Sequence, residues 1–90
     1  MWGHDERGIR RRRCTLACRH FRNVARDAAD GILTGEELRS KLAEVERDAR
    51  GSEDAAIART ARELLATFTS GGDQAASIAA FGDACRALGL

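Results

Sequence analysis

"RDAADGILTGEE", residues 26–37, lies between two stretches of helical periodicity, and its reading decides how the chain passes from one to the next. Thr34 is followed three residues later by Glu37, the spacing of a capping box. In that motif the threonine oxygen accepts the Glu37 backbone N–H, and the glutamate reaches back to the threonine N–H. A helix should begin there. Leu33 before the cap and Leu38 in the first full turn supply a hydrophobic staple, while Glu36 and Glu37 sit where the helix dipole favours negative charge. From this start Leu38, Leu42, Val45 and Ala49 form one stripe among Glu, Lys and Arg, and Gly51 marks the end, which predicts a helix over 35–50.

Working outward, Cys14, Ala17, Cys18, Phe21, Val24, Ala25 and Ala28 recur at three and four residues and predict a helix over about 10–29, stopped by Gly31. Ser52 is the expected cap of a third helix over 53–69, with Glu53 and Asp54 in its first turn and Ile57, Ala61, Leu64, Leu65 and Phe68 inward. "TSGGD" breaks the run. Asp73 then caps a fourth helix over 74–88 with Ile78, Phe81, Cys85 and Leu88 on its inner face. Short connections make successive helices antiparallel neighbours, so the expected fold is all-α, a four-helix up-and-down bundle or a pair of α-hairpins. Residues 10–90 form the single domain in this reading, and residues 1–9, which hold two glycines and no comparable cap, a flexible N-terminal segment.

Residues 26–37 also have the length of a calcium-binding EF-hand loop, with Asp30 at position 5, Gly31 at 6 and Glu37 at 12. The first and third ligand positions would be Arg26 and Ala28. A guanidinium and a methyl cannot serve a cation that needs six or more oxygens, so turn chemistry explains the stretch better than metal binding. "DGILTGEEL" resembles the core of the SHOCT motif, a short bihelical element in which a Gly-Ile-aliphatic-Thr turn precedes an acidic helix start. Such elements are usually terminal and linked to oligomerisation, whereas this one is internal. The resemblance supports the turn.

Composition bounds the rest. A 90-residue chain buries roughly 60 to 70% of its unfolded surface. Seventeen of its residues are alanine and only four are Phe or Trp, so its core is thin and a covering partner is an attractive source of stability. There is no proline, and valine and isoleucine are few beside Ala, Leu, Arg and Glu, a balance that favours helix. No stretch has the apolar length of a membrane span, and no signal-type apolar region follows the basic start, so the expected location is cytoplasmic. Three cysteines are an odd number, which argues against a disulfide framework and agrees with a reducing compartment.

Cys14, Cys18 and His20 form C-x3-C-x-H, a set zinc would accept. His20 projects about 200° around the helix from Cys18, so the three cannot converge while the helix persists. Cys14, Cys18 and Cys85 therefore read as small core residues, and no metal or cofactor site is assigned. Neither histidine has an orienting partner in sequence, Ser40, Ser52, Ser70 and Ser77 fall at caps or helix surfaces, and no catalytic residue is assigned.

Charge is polarised. Residues 1–22 hold seven arginines against Asp5 and Glu6, a net of +5, and residues 23–90 hold eight basic and twelve acidic groups, a net of −4. Arg10, Arg11, Arg12, Arg13, Arg19 and Arg22 are candidate contacts for an anion or nucleic acid, and Trp2 is a candidate interface anchor. Aromatic interleaving is slight. The expectation is a small helical protein–protein interaction module of a regulatory, adaptor or immunity-like kind, self-associating, with nucleic-acid binding through the basic first helix as the alternative.

Overall fold

The computed structural model describes the backbone of residues 3–90 and the side chains of residues 12–90. Four helices follow in chain order, α1 (Gly3–Ala29), α2 (Gly35–Arg50), α3 (Ala55–Ser70) and α4 (Gln74–Ala87), with no strand among the described residues. Consecutive helices pack closely, whereas α1 and α4 meet sparsely, so the up-and-down bundle closes only in part. The all-α four-helix expectation holds. Backbone helix α1 starts earlier than the expected residue 10, and the flexibility expected of residues 1–9 otherwise falls outside the described residues.

The corner between α1 and α2 is two caps back to back. Ile32 N–H donates to the Asp27 carbonyl at 3.0 Å and Gly31 N–H to Ala28 at 3.1 Å, the paired bonds of a Schellman stop. Gly31 has φ +73, where a side chain would cost about 1 to 2 kcal/mol. Three residues on, Glu37 N–H donates to Thr34 Oγ1 at 3.1 Å and Thr34 N–H to Glu37 Oε1 at 3.0 Å, which completes the capping box. Leu33 and Leu38 both lie half-buried against the core, as a staple requires.

Helix α3 differs from its reading in one detail. Its cap is Asp54, not Ser52: the Asp54 carboxylate accepts Ile57 N–H at 2.9 Å, and the helix starts at Ala55. A carboxylate is the stronger acceptor there and is favoured by the dipole, so the acid serves as the cap and no acid occupies the first turn. Ser52 instead donates to the Asp54 carbonyl at 3.4 Å. Helix α4 starts as expected, with Asp73 Oδ1 accepting Ala76 N–H at 3.0 Å. It stops at a second Schellman pattern, in which Gly89 has φ +77, Leu90 N–H reaches the Cys85 carbonyl, and the Leu90 side chain packs on the core.

The core joins Ala17, Cys18, Phe21 and Val24 of α1 to Leu42, Val45 and Ala49 of α2, Ile57, Ala61 and Leu64 of α3, and Phe81 and Cys85 of α4. Phe21 and Phe81 stack obliquely, with ring centroids 4.8 Å apart. Three inward expectations need correction, since Ala25, Ile78 and Leu88 are exposed, while Ala28, Leu38, Leu65 and Phe68 are only half-buried. The three exposed residues lie on α1, on α4 or at the C-cap of α4, and these two helices close on each other only in part. Glu46, Thr60 and Thr67 are buried without having been expected, and each is satisfied: Glu46 by Arg50, Thr60 by the Ala56 carbonyl at 2.6 Å, Thr67 by the Glu63 carbonyl at 2.7 Å.

Two sequence inferences about cysteine are overturned. Cys18 and Cys85 form a disulfide that joins α1 to α4 across 67 residues, so they are not merely small core residues and the argument from odd count to a reducing compartment falls. Parity tests only whether every cysteine is paired. One bridge with Cys14 left free and buried satisfies three cysteines as well. A cross-link closing a loop of this length is worth about 4 kcal/mol in the chain-entropy account. For so thin a core that is a large share of the stability.

Gly51 ends α2 with φ −82, an ordinary right-handed value, so its role is not conformational freedom. The Arg13 side chain lies across it, its Cδ 2.6 Å from where a Cβ would stand. That close approach puts a guanidinium at the carboxyl end of α2, where the dipole favours a cation.

Candidate functional site

The partial closure of α1 on α4 leaves an apolar cleft of about 400 Å³. Phe21, Val24, Ala25, Ala28 and Ala29 form its α1 wall, Leu38 and Leu42 come from α2, Leu64 and Phe68 from α3, and Ile78 from α4. Alanine is the cause. Three of the α1 wall residues end at Cβ, so the side chains facing α4 stop short of it. Below the cleft, Phe21 against Phe81 and the Cys18–Cys85 bond draw the two helices together. Ile78 stands at the mouth, 40% exposed.

The opposite face of α1 is basic. Arg12, Arg19, Arg22 and Arg26 fall within about 80° of one another at 100° per residue, on the side away from Ala17, Phe21 and Val24. All four are exposed, and none forms an ion pair with a described residue. Of the sequence candidates, Arg12, Arg19 and Arg22 therefore share a surface. Arg13 does not, since it lies over Gly51, and Arg26 joins the stripe although it was not a candidate. The side chains of Arg10 and Arg11, and the whole of Trp2, fall outside the described residues.

His20 is turned toward α2, with Nε2 3.6 Å from Glu44 and Nδ1 3.7 Å from Asp48. With Cys18 bonded to Cys85, the C-x3-C-x-H set has no thiolate pair to offer, and no cluster of metal-type ligands occurs among the described residues. Glu37, the closing acid of the calcium-loop comparison, is held by Thr34, and that hydrogen bond keeps its carboxyl below the ordinary 4.5. Glu46 is likewise held below 4.5, first by its hydrogen bond with Arg50 and then by the nearby charges of Arg50, Arg62 and Arg47. Both shifts follow from structural contacts rather than from a prepared reaction centre.

The cleft was not legible as a site. Its residues read as core stripe, and only the run of alanines at 25, 28 and 29 hints that α1 lacks bulk at its last turns. Among the described residues no helix is long and apolar enough to cross a membrane. The chain matches no known family model, no curated protein and no solved structure.

Proposed function

We propose that this four-helix protein is an interaction module that self-associates through the cleft between α1 and α4. The observation that carries the reading is the pairing, within one patch, of an open apolar cavity with the exposed Ile78 at its mouth. A twofold contact needs a self-complementary surface, and a hollow beside a projecting apolar side chain provides one. The small core gives self-association a thermodynamic purpose, since covering the cleft adds apolar burial that the chain cannot make alone. A regulatory, adaptor or immunity-like role would use the same surface against a different protein.

The test is mass in solution. Light scattering across a concentration series should show wild-type protein passing from monomer to dimer, with a melting temperature that rises with concentration. Ile78→Glu should hold it monomeric by placing a charge in an apolar contact. A wild-type protein that stays monomeric throughout the series overturns the self-association.

A second reading rests on a different observation, the solvated stripe of Arg12, Arg19, Arg22 and Arg26 on α1. Such a stripe suits phosphates, with release of counterions on binding. Duplex DNA or RNA should then be retarded at low ionic strength and released steeply as salt rises, and Arg19→Glu should weaken the complex for every sequence tried. Retention that ignores both salt and Arg19→Glu sinks this reading.

A further inference from the structure

We infer that the Cys18–Cys85 bond is a redox-operated clamp that decides whether α4 stays docked on α1. Three features support this. The bond joins α1 to α4, helices that otherwise meet sparsely, beside the aromatic contact between Phe21 and Phe81. On its other side α4 is held by α3, with Thr67 Oγ1 2.6 Å from Ser77 Oγ, so release from α1 need not detach α4 from the molecule. The cleft lies along the same seam, so any movement of α4 away from α1 reshapes it. The clamp stands on these contacts and not on what occupies the cleft.

Both sulfurs are nearly inaccessible, Cys18 being 1% exposed and Cys85 3%. A reductant therefore reaches them only when the seam opens locally, which makes the switch slow and insensitive to brief exposure. The co-reactant is a dithiol. One of its thiolates attacks a sulfur of the bridge, a mixed disulfide forms, and the other cysteine leaves as a thiolate that takes up a proton. The second thiol of the reagent then closes its own disulfide and frees the first cysteine. Two electrons and two protons pass from the dithiol to the protein pair.

Hydrogen exchange read by peptide mass on the full chain, oxidised and after dithiothreitol, tests the clamp. Exchange should accelerate in every helix as the stabilisation of the cross-link is lost, but in α4 by at least about tenfold more than in the α2–α3 hairpin, and reoxidation should restore both. Peptide mapping of the oxidised protein should show Cys18 linked to Cys85, and Cys14→Ala should leave the link and the exchange pattern unaltered. An oxidised chain without that link, an α4 indifferent to reduction, or equal acceleration in all helices overturns the inference.

Discussion

Thr67 Oγ1 lies 2.6 Å from Ser77 Oγ, and this hydroxyl pair spans the interface between α3 and α4. Each hydroxyl also has a carbonyl of its own helix within reach, Glu63 for Thr67 at 2.7 Å and Asp73 for Ser77 at 3.1 Å. With one proton apiece, the pair satisfies the cross-link in either direction but not both carbonyls at once. Ser77→Ala leaves Thr67 able to donate to Glu63, so nothing buried is orphaned and the loss should be only about 0.5 to 1.5 kcal/mol. That corresponds to a fall of several degrees in melting temperature, readable by circular dichroism. A larger loss would mean that Ser77 does more than bridge.

The capping box carries a pH signature. Glu37 has its carboxyl pulled below the ordinary 4.5 chiefly by the Thr34 backbone N–H, so the folded-state value lies under the unfolded one. Its contribution is complete above the unfolded value and disappears as pH falls through the folded one. Thr34→Ala should cost about 1 kcal/mol near neutral pH. Glu37→Gln should be less stable than wild type at neutral pH, and the gap should narrow in acid. Urea melts at the two pH values check this, and a gap that widens in acid refutes the assigned direction.

Phe81 is completely buried and meets Phe21 at the level where α1 and α4 close. Phe81→Ala removes the largest side chain of α4 from a core built largely on Ala, Cys and Val, and should cost about 3 to 5 kcal/mol. Loss on that scale approaches the whole stability of a small domain, so the variant should melt broadly or be unfolded at room temperature. Phe81→Leu fills part of the space and should retain a cooperative transition. Near-native melting of Phe81→Ala would show that the seam contributes little.

What could be read in the residues was what local chemistry decides. The corner at 30–37 was legible because a left-handed glycine and a Thr-x-x-Glu cap act within one turn, independent of packing. The α3 cap was misplaced by two residues because Ser52 and Asp54 both suit the position, and only their competition settles which serves. Nothing local distinguishes Cys18 as a bridge residue. Its partner is chosen by the level at which the last helix returns past the first, which is a property of the assembled bundle. The cleft was hidden for the same reason, since a helix wheel gives the direction of Ala25, Ala28 and Ile78 but not the gap between their helices. Arg26 could have been added to the basic face from its seven-residue spacing to Arg19 alone.

Filling the cleft should separate the stability of the monomer from its association. Ala28 is half-buried in the α1 wall, and Ala28→Leu extends a branched side chain into a space of about 400 Å³ with no polar atom to strand. Leucine is nearly as good a helix former, so the added apolar contact should stabilise the monomer by about 1 to 2 kcal/mol. If a second copy inserts Ile78 into that space, the same substitution removes the hollow and weakens the dimer. The two effects have opposite sign and are read separately, by the melting temperature at low concentration and by the mass at high concentration. A stabilised monomer with unchanged dimerisation would place the contact elsewhere, and a destabilised monomer would mean that the wall is already packed and the cleft is not open in solution.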